Sequence, residues 1–575
     1  MTKTPIPQRL MLFILLLCPA MVMAAVRIDG IAGDLLANAQ AHLALDDEPC
    51  DAPMWRVRRL LRQGNGEIKE AMQALGHYQA SIESSLAAGD GCWEAVYTVV
   101  PGAPVTVRKL DISLIGAAAD DAEFTQILAN AKLQQQQPLR HDHYEALKRA
   151  LLDTASRRGY ADARVLRSEV NVYPQESVAD VLIEMQSGER YAFGETIFRQ
   201  EVLTPKLVQG FMPYRRGDPY HSGQLADFYA VLSGSGYFGR IQVEPLLDTR
   251  SNGEIPVAVT LTPGKRRLYT AGLGFSTDTG PRVRAGYTDR RVSPSGQQWS
   301  SNLVMSRVVS ELSANYRRPR GDPKTDWLSF DAGFKHESTD TSESDAYQLG
   351  VHRIRQRRNN WRENRFVDLL IEDFVIGEQQ RTSTLVIPGI SWSRTKAENR
   401  LRPQRGLRVF LEARASGDML GSDTNFLRLE ARGKLIRKLS PRSRLLLRAE
   451  SGISVTGEFS ELPPSLRYFA GGDASIRGYD FESLGPRDAS GQVIGGSGKV
   501  VASVEYEFTI LPRWSLALFV DSGNAFEDLE LQPQTGVGIG ARWHSPVGPV
   551  RVDLAKPFNG ADRSVRLHVS FGPDL

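Results

Sequence analysis

The stretch Trp514-Ser515-Leu516-Ala517-Leu518-Phe519-Val520-Asp521 sets Trp514, Leu516, Leu518 and Val520 against Ser515, Ala517 and Asp521. Successive side chains of an extended strand point to opposite faces, so one face here is fully apolar and the other holds a serine and a carboxylate. That pattern suits a strand with lipid on one side and a polar interior on the other. The same alternation places Val504, Tyr506 and Phe508 opposite Ser503, Glu505 and Glu507. It also places Tyr269, Ala271, Leu273 and Phe275 opposite Thr270, Gly272, Gly274 and Ser276. From Leu268 to Phe571 the 3.6-residue period is missing, and turns rich in Gly, Asp, Asn, Ser and Pro separate the segments. At roughly nineteen residues per membrane strand with its turn, the span holds about sixteen strands, give or take two. A soluble sandwich would alternate too, but seldom over so many strands with polar residues on the supposed inner face.

Beyond the N-terminus no run of eighteen apolar residues occurs, which excludes a helical membrane protein and leaves a barrel open. Lys3 and Arg9, the apolar run Leu10–Leu17 and the close Val22-Met23-Ala24 read as a signal peptide over residues 1–24, cleaved after Ala24. Cys18 would leave with it, and Leu17 is too bulky for a lipid-modification box. Cys50 and Cys92 then remain, and an even pair in an exported chain reads as one disulfide rather than as metal ligands or a nucleophile. The charge balance, 70 basic against 67 acidic residues, makes no case for nucleic acid.

Three segments, 26–104, 105–188 and 189–264, repeat one plan: a strand, two helical stretches, a glycine-aromatic turn and two closing strands. The turns are Gly76-His77-Tyr78, Gly159-Tyr160 and Gly236-Tyr237-Phe238. Helical spacing precedes each, as in Leu147, Leu151 and Ala155, and alternation follows, as in Val257, Val259 and Leu261. Such β-α-α-β-β units resemble POTRA domains, whose open sheet edges accept an extended client through main-chain bonds. Gly234-Ser235-Gly236-Tyr237-Phe238-Gly239 matches a dinucleotide fingerprint, but it follows a helix and enters a strand, the reverse of what that motif requires. The histidines are scattered, His141 and His143 read as a solvated helix start, and neither serine nor cysteine sits in a nucleophile motif. An enzyme is therefore not expected, nor a cofactor or metal.

Within the barrel half, residues 265–575, Gly471-Gly472-Asp473-Ala474-Ser475-Ile476-Arg477-Gly478-Tyr479 is a glycine-rich segment with one arginine. Its companions are Phe519-Val520-Asp521-Ser522-Gly523-Asn524-Ala525-Phe526 and the set Gly538, Gly540, Arg542, Pro546, Gly548, Pro549, Arg551 and Asp553. In this order they resemble the R-G-Y/F loop, F-x-D-x-G-x-x-F and G-x-G-x-R…P-x-G-P-x-R-x-D elements of the BamA/TamA superfamily. Three POTRA-like units in 575 residues are similar to its TamA-type members. Val565–Phe571 is similar to a terminal barrel strand, although Gly572-Pro573-Asp574-Leu575 runs past the aromatic residue.

The resemblance implies α+β periplasmic repeats before an outer-membrane antiparallel barrel that inserts or secretes client proteins such as autotransporters, with a TamB-like periplasmic partner. It implies a loop folded into the lumen, Ile476-Arg477-Gly478-Tyr479 at its tip, with Phe519, Gly523 and Phe526 as the companion motif. Strand parity sends Asp521 and Glu505 to the lumen, where they can hold the Arg477 guanidinium. Lumen water should keep that contact worth about 1–3 kcal/mol, and exchanging the charges at 477 and 521 should restore part of the loss. A lateral seam is expected where Leu268, Gly272 and Gly274 of the first strand meet Phe571 and Gly572 of the last, with the glycines shortening the pairing. A passive channel or a two-partner secretion transporter is the alternative.

Overall fold

A computed structural model describes residues 25–88, 92–399, 402–546, 548–559 and 564–572; the expected signal peptide and Pro573–Leu575 lie outside them. Two compact units divide the chain. One holds residues up to 196 with 214–224 and 245–257, the other 197–213, 225–244 and 258 onward.

The N-terminal elements run β1 (Ala25–Asp29), α1 (Asp34–His42), α2 (Met54–Ala74), β2 (Ser81–Ala88), β3 (Trp93–Val100), then β4 (Thr106–Gly116), α3 (Ala122–Ala129), α4 (His141–Arg158), β5 (Arg164–Tyr173), β6 (Val178–Gly188). A third set follows: β7 (Ala192–Arg199), α5 (Pro205–Gln209), α6 (Ser222–Gly234), β8 (Phe238–Pro245), β9 (Glu254–Pro263). The sheet orders are β1-β3-β2, β4-β6-β5 and β7-β9-β8, so the last strand of each set is central. Its inward residues carry the core: Ala179, Val181, Ile183 and Met185 on β6 are buried against Tyr144, Leu147, Leu151 and Ala155 of α4.

The glycine-aromatic turn is a clasp. Gly159 takes φ +86° to end α4, a conformation that costs a β-carbon-bearing residue more. Tyr160 then turns inward and donates to Asp121 Oδ2 at 2.9 Å. Asp121 also caps α3 by accepting from the Glu123 N–H at 3.1 Å, and it receives Arg158 Nε at 2.7 Å. Burial, then the bond to Asp121, push the Tyr160 hydroxyl up to about 12, so it remains a donor. His141 departs from the expectation of a solvated helix start, because its Nε2 lies 2.6 Å from the Tyr78 hydroxyl of the first unit's glycine-aromatic turn. The G-x-G-x-x-G stretch joins the end of α6 to β8, so it opens no helix.

Sixteen strands, from β10 (Arg267–Ser276) to β25 (Arg566–Phe571), form one closed barrel. Outward residues of β10 stand clear of the protein, Tyr269 at 70% and Leu273 at 81% exposure, as a lipid-facing strand requires. On β21 (Gly498–Leu511) Val504, Tyr506 and Phe508 are exposed while Ser503, Glu505 and Glu507 are buried; β22 (Trp514–Phe526) repeats this parity.

The seam differs from its expected form in where its strands meet. Gly272 and Gly274 are fully paired with Arg284 and Arg282 of β11 (Gly280–Asp289), so they shorten nothing on that side. Leu268, eight residues before Ser276, lies at the far end of β10 and pairs with Thr288 on its other edge, whereas Phe571 adjoins the seam residue Ser570 while pairing with Val550 on its other edge, and the Gly572 N–H donates to Pro549 O. Among the described residues β10 and β25 register at Ser276↔Ser570. The physical cause is stagger: tilted strands closing a barrel return out of step, so the top of β10 meets the end of the short β25.

Cys50 and Cys92 are disulfide-bonded across a sequence separation of 42. Closing a loop of that length stabilises a fold by about 3–4 kcal/mol in the chain-entropy model. Thiol labelling of the folded protein without reductant is therefore expected to be negative at both positions. Reduction should lower the unfolding midpoint of the first α+β unit before that of the barrel; an unchanged midpoint would show that the bridge contributes nothing.

Candidate functional site

The segment between β20 (Ser443–Thr456) and β21 turns back into the barrel instead of remaining outside it. Its first part is apolar where it meets the inner wall: Leu462 and Leu466 are buried against Ala346, Leu370, Leu385 and Ile387. Arg467 then stitches the two limbs of the loop together. Its guanidinium donates to the carbonyls of Leu462 at 2.6 Å and Ile494 at 3.0 Å and to Gln379 Oε1 at 2.8 Å, with Phe459 stacked 4.7 Å away. These bonds satisfy most donors of a buried cation without a carboxylate.

The tip carries Arg477, whose side chain is 7% exposed beside a fully buried Asp521. Nε and Nη2 grip Asp521 bidentately at 2.7 and 3.0 Å, and the Arg477 N–H adds a third bond to the same carboxylate at 3.1 Å. Nη1 reaches Glu505 Oε2 at 2.8 Å and Asp553 Oδ2 at 3.1 Å. The guanidinium also lies flat on Phe519, 3.4 Å from the ring centroid. Arg542 holds the outer oxygens of two of these acids, Glu505 Oε1 at 2.9 Å and Asp553 Oδ1 at 2.5 Å. Three carboxylates and two guanidiniums thus form one buried network across β21, β22, β23 (Gln534–Ser545) and β24 (Gly548–Pro557).

The glycines of the motifs make room for it. On β23 Gly536, Gly538 and Gly540 share the inward parity, and a β-carbon would collide with Arg477 O at the first, Phe519 at the second and Asp553 Oδ1 at the third. Gly523 lets β21 approach in the same way, since a β-carbon there would meet Val500 O; Phe526 fills the space over Gly498. Ile476 is fully buried beside Ala470 and Val501, and the Tyr479 hydroxyl donates to Asn559 O at 2.7 Å.

The structure brings Arg477 to Asp521 and Glu505, as the loop resemblance and the lumen parity of the two acids imply, and it adds further partners. Asp553 and Arg542 lie inside the G-x-G-x-R…P-x-G-P-x-R-x-D element, and their inward parity on β24 and β23 is the sequence signal that marks them. His568 has the same parity signal on β25, whereas Arg467 and Asp473 have none, because nothing in a linear pattern shows how deep a loop enters. Two energetic expectations change as well. The contact is buried rather than washed by lumen water, so removing the guanidinium strands charge at about 3–5 kcal/mol instead of the smaller figure. A carboxylate placed at position 477 would face Glu505 and Asp553 even with an arginine at 521, so charge exchange is not expected to restore the loop.

Arg477→Ala is expected to leave a barrel that inserts while the 471–495 segment becomes protease-sensitive, and Arg477→Lys should rescue little, because one ammonium neither grips Asp521 bidentately nor stacks on Phe519 as a plane. Limited proteolysis of the folded barrel is the measurement. A loop as resistant as in the unmodified chain would show that the network does not hold it.

Comparison with known proteins agrees with this architecture. The family model described as the Omp85 superfamily domain matches residues 267–573, and that described as POTRA domain TamA domain 1 matches residues 25–101. The outer membrane protein assembly factor BamA of Nitratidesulfovibrio vulgaris is 24% identical over 443 residues, covering 72% of this chain and 55% of that protein. BamA of Neisseria meningitidis serogroup B is 20% identical over 469 residues, covering 68% and 58%. The chain thus spans little more than half the length of these relatives. The crystal structure of BamA from Haemophilus ducreyi lacking POTRA domains 1–3 superposes with a TM-score of 0.69 at 14% identity, over 81% of this chain and 99% of that one. A closed sixteen-stranded barrel behind POTRA-type sheets, with the family model matched along the whole barrel, establishes that this chain belongs to the Omp85 superfamily.

Proposed function

We propose that this chain is an outer-membrane assembly or translocation factor whose POTRA units receive unfolded clients and whose barrel delivers them through a lateral seam. The observation that carries the reading is the seam: β10 pairs with β11 from Arg267↔Asp289 to Ser276↔Gly280, whereas its other edge meets β25 at Ser276↔Ser570. A strand edge with free main-chain groups templates an incoming strand without a sequence requirement. In the POTRA units the outer strands β2 and β5 offer edges of the same kind. A passive channel fits less well, because the inward loop packs Leu462 and Leu466 onto the inner wall and its tip is pinned by Arg477.

Membership of the TamA-type branch is supported by the match of the first unit to a TamA POTRA model. On that basis autotransporters are the client class and a TamB-like periplasmic protein the partner. A photo-crosslinker at the exposed Ser85 of β2 in the full chain should capture one large periplasmic protein; capture of clients alone would point to a stand-alone insertase.

The seam is tested by locking it. Ser276→Cys with Ser570→Cys, register partners, should oxidise to a bridge that abolishes assembly of an autotransporter in reconstituted vesicles, with activity restored by reductant. Full activity of the oxidised protein would rule out lateral delivery.

A further inference from the structure

Among the described residues the seam strands register at the single pair Ser276↔Ser570, and a second set of bonds surrounds it. Asp473, four residues before Arg477 in the inward loop, reaches both strand ends. Its carboxylate accepts from Ser276 Oγ at 2.8 Å and from Thr277 Oγ1 at 2.8 Å, at the top of β10. Its main-chain N–H donates to Asp278 Oδ2 at 2.7 Å in the turn that follows. On the other side His568 of β25 lies 2.6 Å from Asp473 Oδ1 through Nδ1. The same ring is engaged a second time by the loop, because the Gly478 N–H donates to His568 Nε2 at 2.9 Å. That bond settles the tautomer: Nε2 is the acceptor, so Nδ1 carries the proton and donates to Asp473. Both Asp473 and His568 are buried, with side chains 8% and 7% exposed. Gly472 is shaped for this approach, since at φ +98° its missing β-carbon would press on Asp278.

We propose that Asp473 is a latch that holds the barrel seam closed, fastening the Ser276–Asp278 end of β10 to His568 of β25 through the inward loop. Main-chain pairing contributes Ser276↔Ser570 and the Thr277 N–H to Val569 O bond at 3.1 Å; the Val569 N–H itself goes to the Thr277 hydroxyl. The charged carboxylate is therefore the strongest acceptor at the junction. Because Asp473 and Arg477 share one short tip, the loop ties the seam to the β21–β24 wall, and withdrawal of the tip frees β10 and β25 together. The latch supplies the control that the proposed lateral delivery requires, and it rests on that reading only for its purpose; its geometry stands alone.

Hydrogen exchange of the full chain in lipid nanodiscs tests it. Asp473→Ala should raise exchange at the Thr277 and Val569 amides by about tenfold or more, as expected when a charge-assisted bond is lost, and leave the β10–β11 ladder protected. Asp473→Asn, which keeps one acceptor oxygen, should lie between the two. His568→Gln should loosen the same amides, which covers the case in which Asp473→Ala fails to form a heat-modifiable barrel. Seam amides as protected in a folded Asp473→Ala or His568→Gln barrel as in the unmodified chain would overturn the latch. Loosened amides with unchanged client assembly would leave the latch standing and overturn lateral delivery instead.

Discussion

The barrel interior is organised by a guanidinium held among three carboxylates. Asp521, Glu505 and Asp553 come from three different strands, and their mutual repulsion in a dehydrated interior would be prohibitive without Arg477 and Arg542 between them. Each arginine is a planar fork with several donors, so two of them satisfy oxygens that two lysines would leave bare. The small side chains around the network follow from it. Gly536, Gly538 and Gly540 forgo the stiffness and packing that β-branched residues give a strand, which is tolerable where a loop covers the same face.

A long inward loop is entropically expensive, and this one is held at both ends by different forces. Leu462 and Leu466 bury apolar surface against the wall near the entry, and Arg467 cross-ties the limbs through carbonyl oxygens. At the tip, ion pairs and the stack on Phe519 replace apolar burial. Non-directional packing locates the loop roughly, and the directional bonds of the guanidinium set its register to within one hydrogen bond. That register is what brings Asp473 to the seam.

Closed barrels normally leave no strand edge, yet among the described residues the first and last strands of this one register at a single pair. An exposed edge is an aggregation hazard in a soluble protein; in a membrane it is a place where another strand can add. Guarding it with side-chain bonds from a loop separates two requirements that strand pairing alone would combine. In the proposed latch the sheet stays shut at rest, and opening it needs the loss of a few localised contacts instead of a whole ladder.

Much of this was legible in the linear chain because strand and helix periods are local. Alternation along residues 514–521 and 503–508 assigns lipid and lumen faces without knowledge of neighbours, since a pleat reverses at every residue. The repeated glycine-aromatic turns mark three small α+β sets in the same way; parity sends Asp521 and Glu505 to the lumen, and only the family resemblance of the Ile476–Tyr479 loop supplies Arg477 as their partner. Other features depended on closure. Parity does not show which end of β10 meets the last strand: stagger accumulated round sixteen tilted strands brings Ser276, not Leu268, against Ser570 beside Phe571. The third carboxylate, the shared Arg542 and the Asp473–His568 contact likewise join residues up to 95 positions apart, through the depth to which one loop enters the barrel. Local sequence dictates which way a side chain points; only the closed sheet decides what it meets.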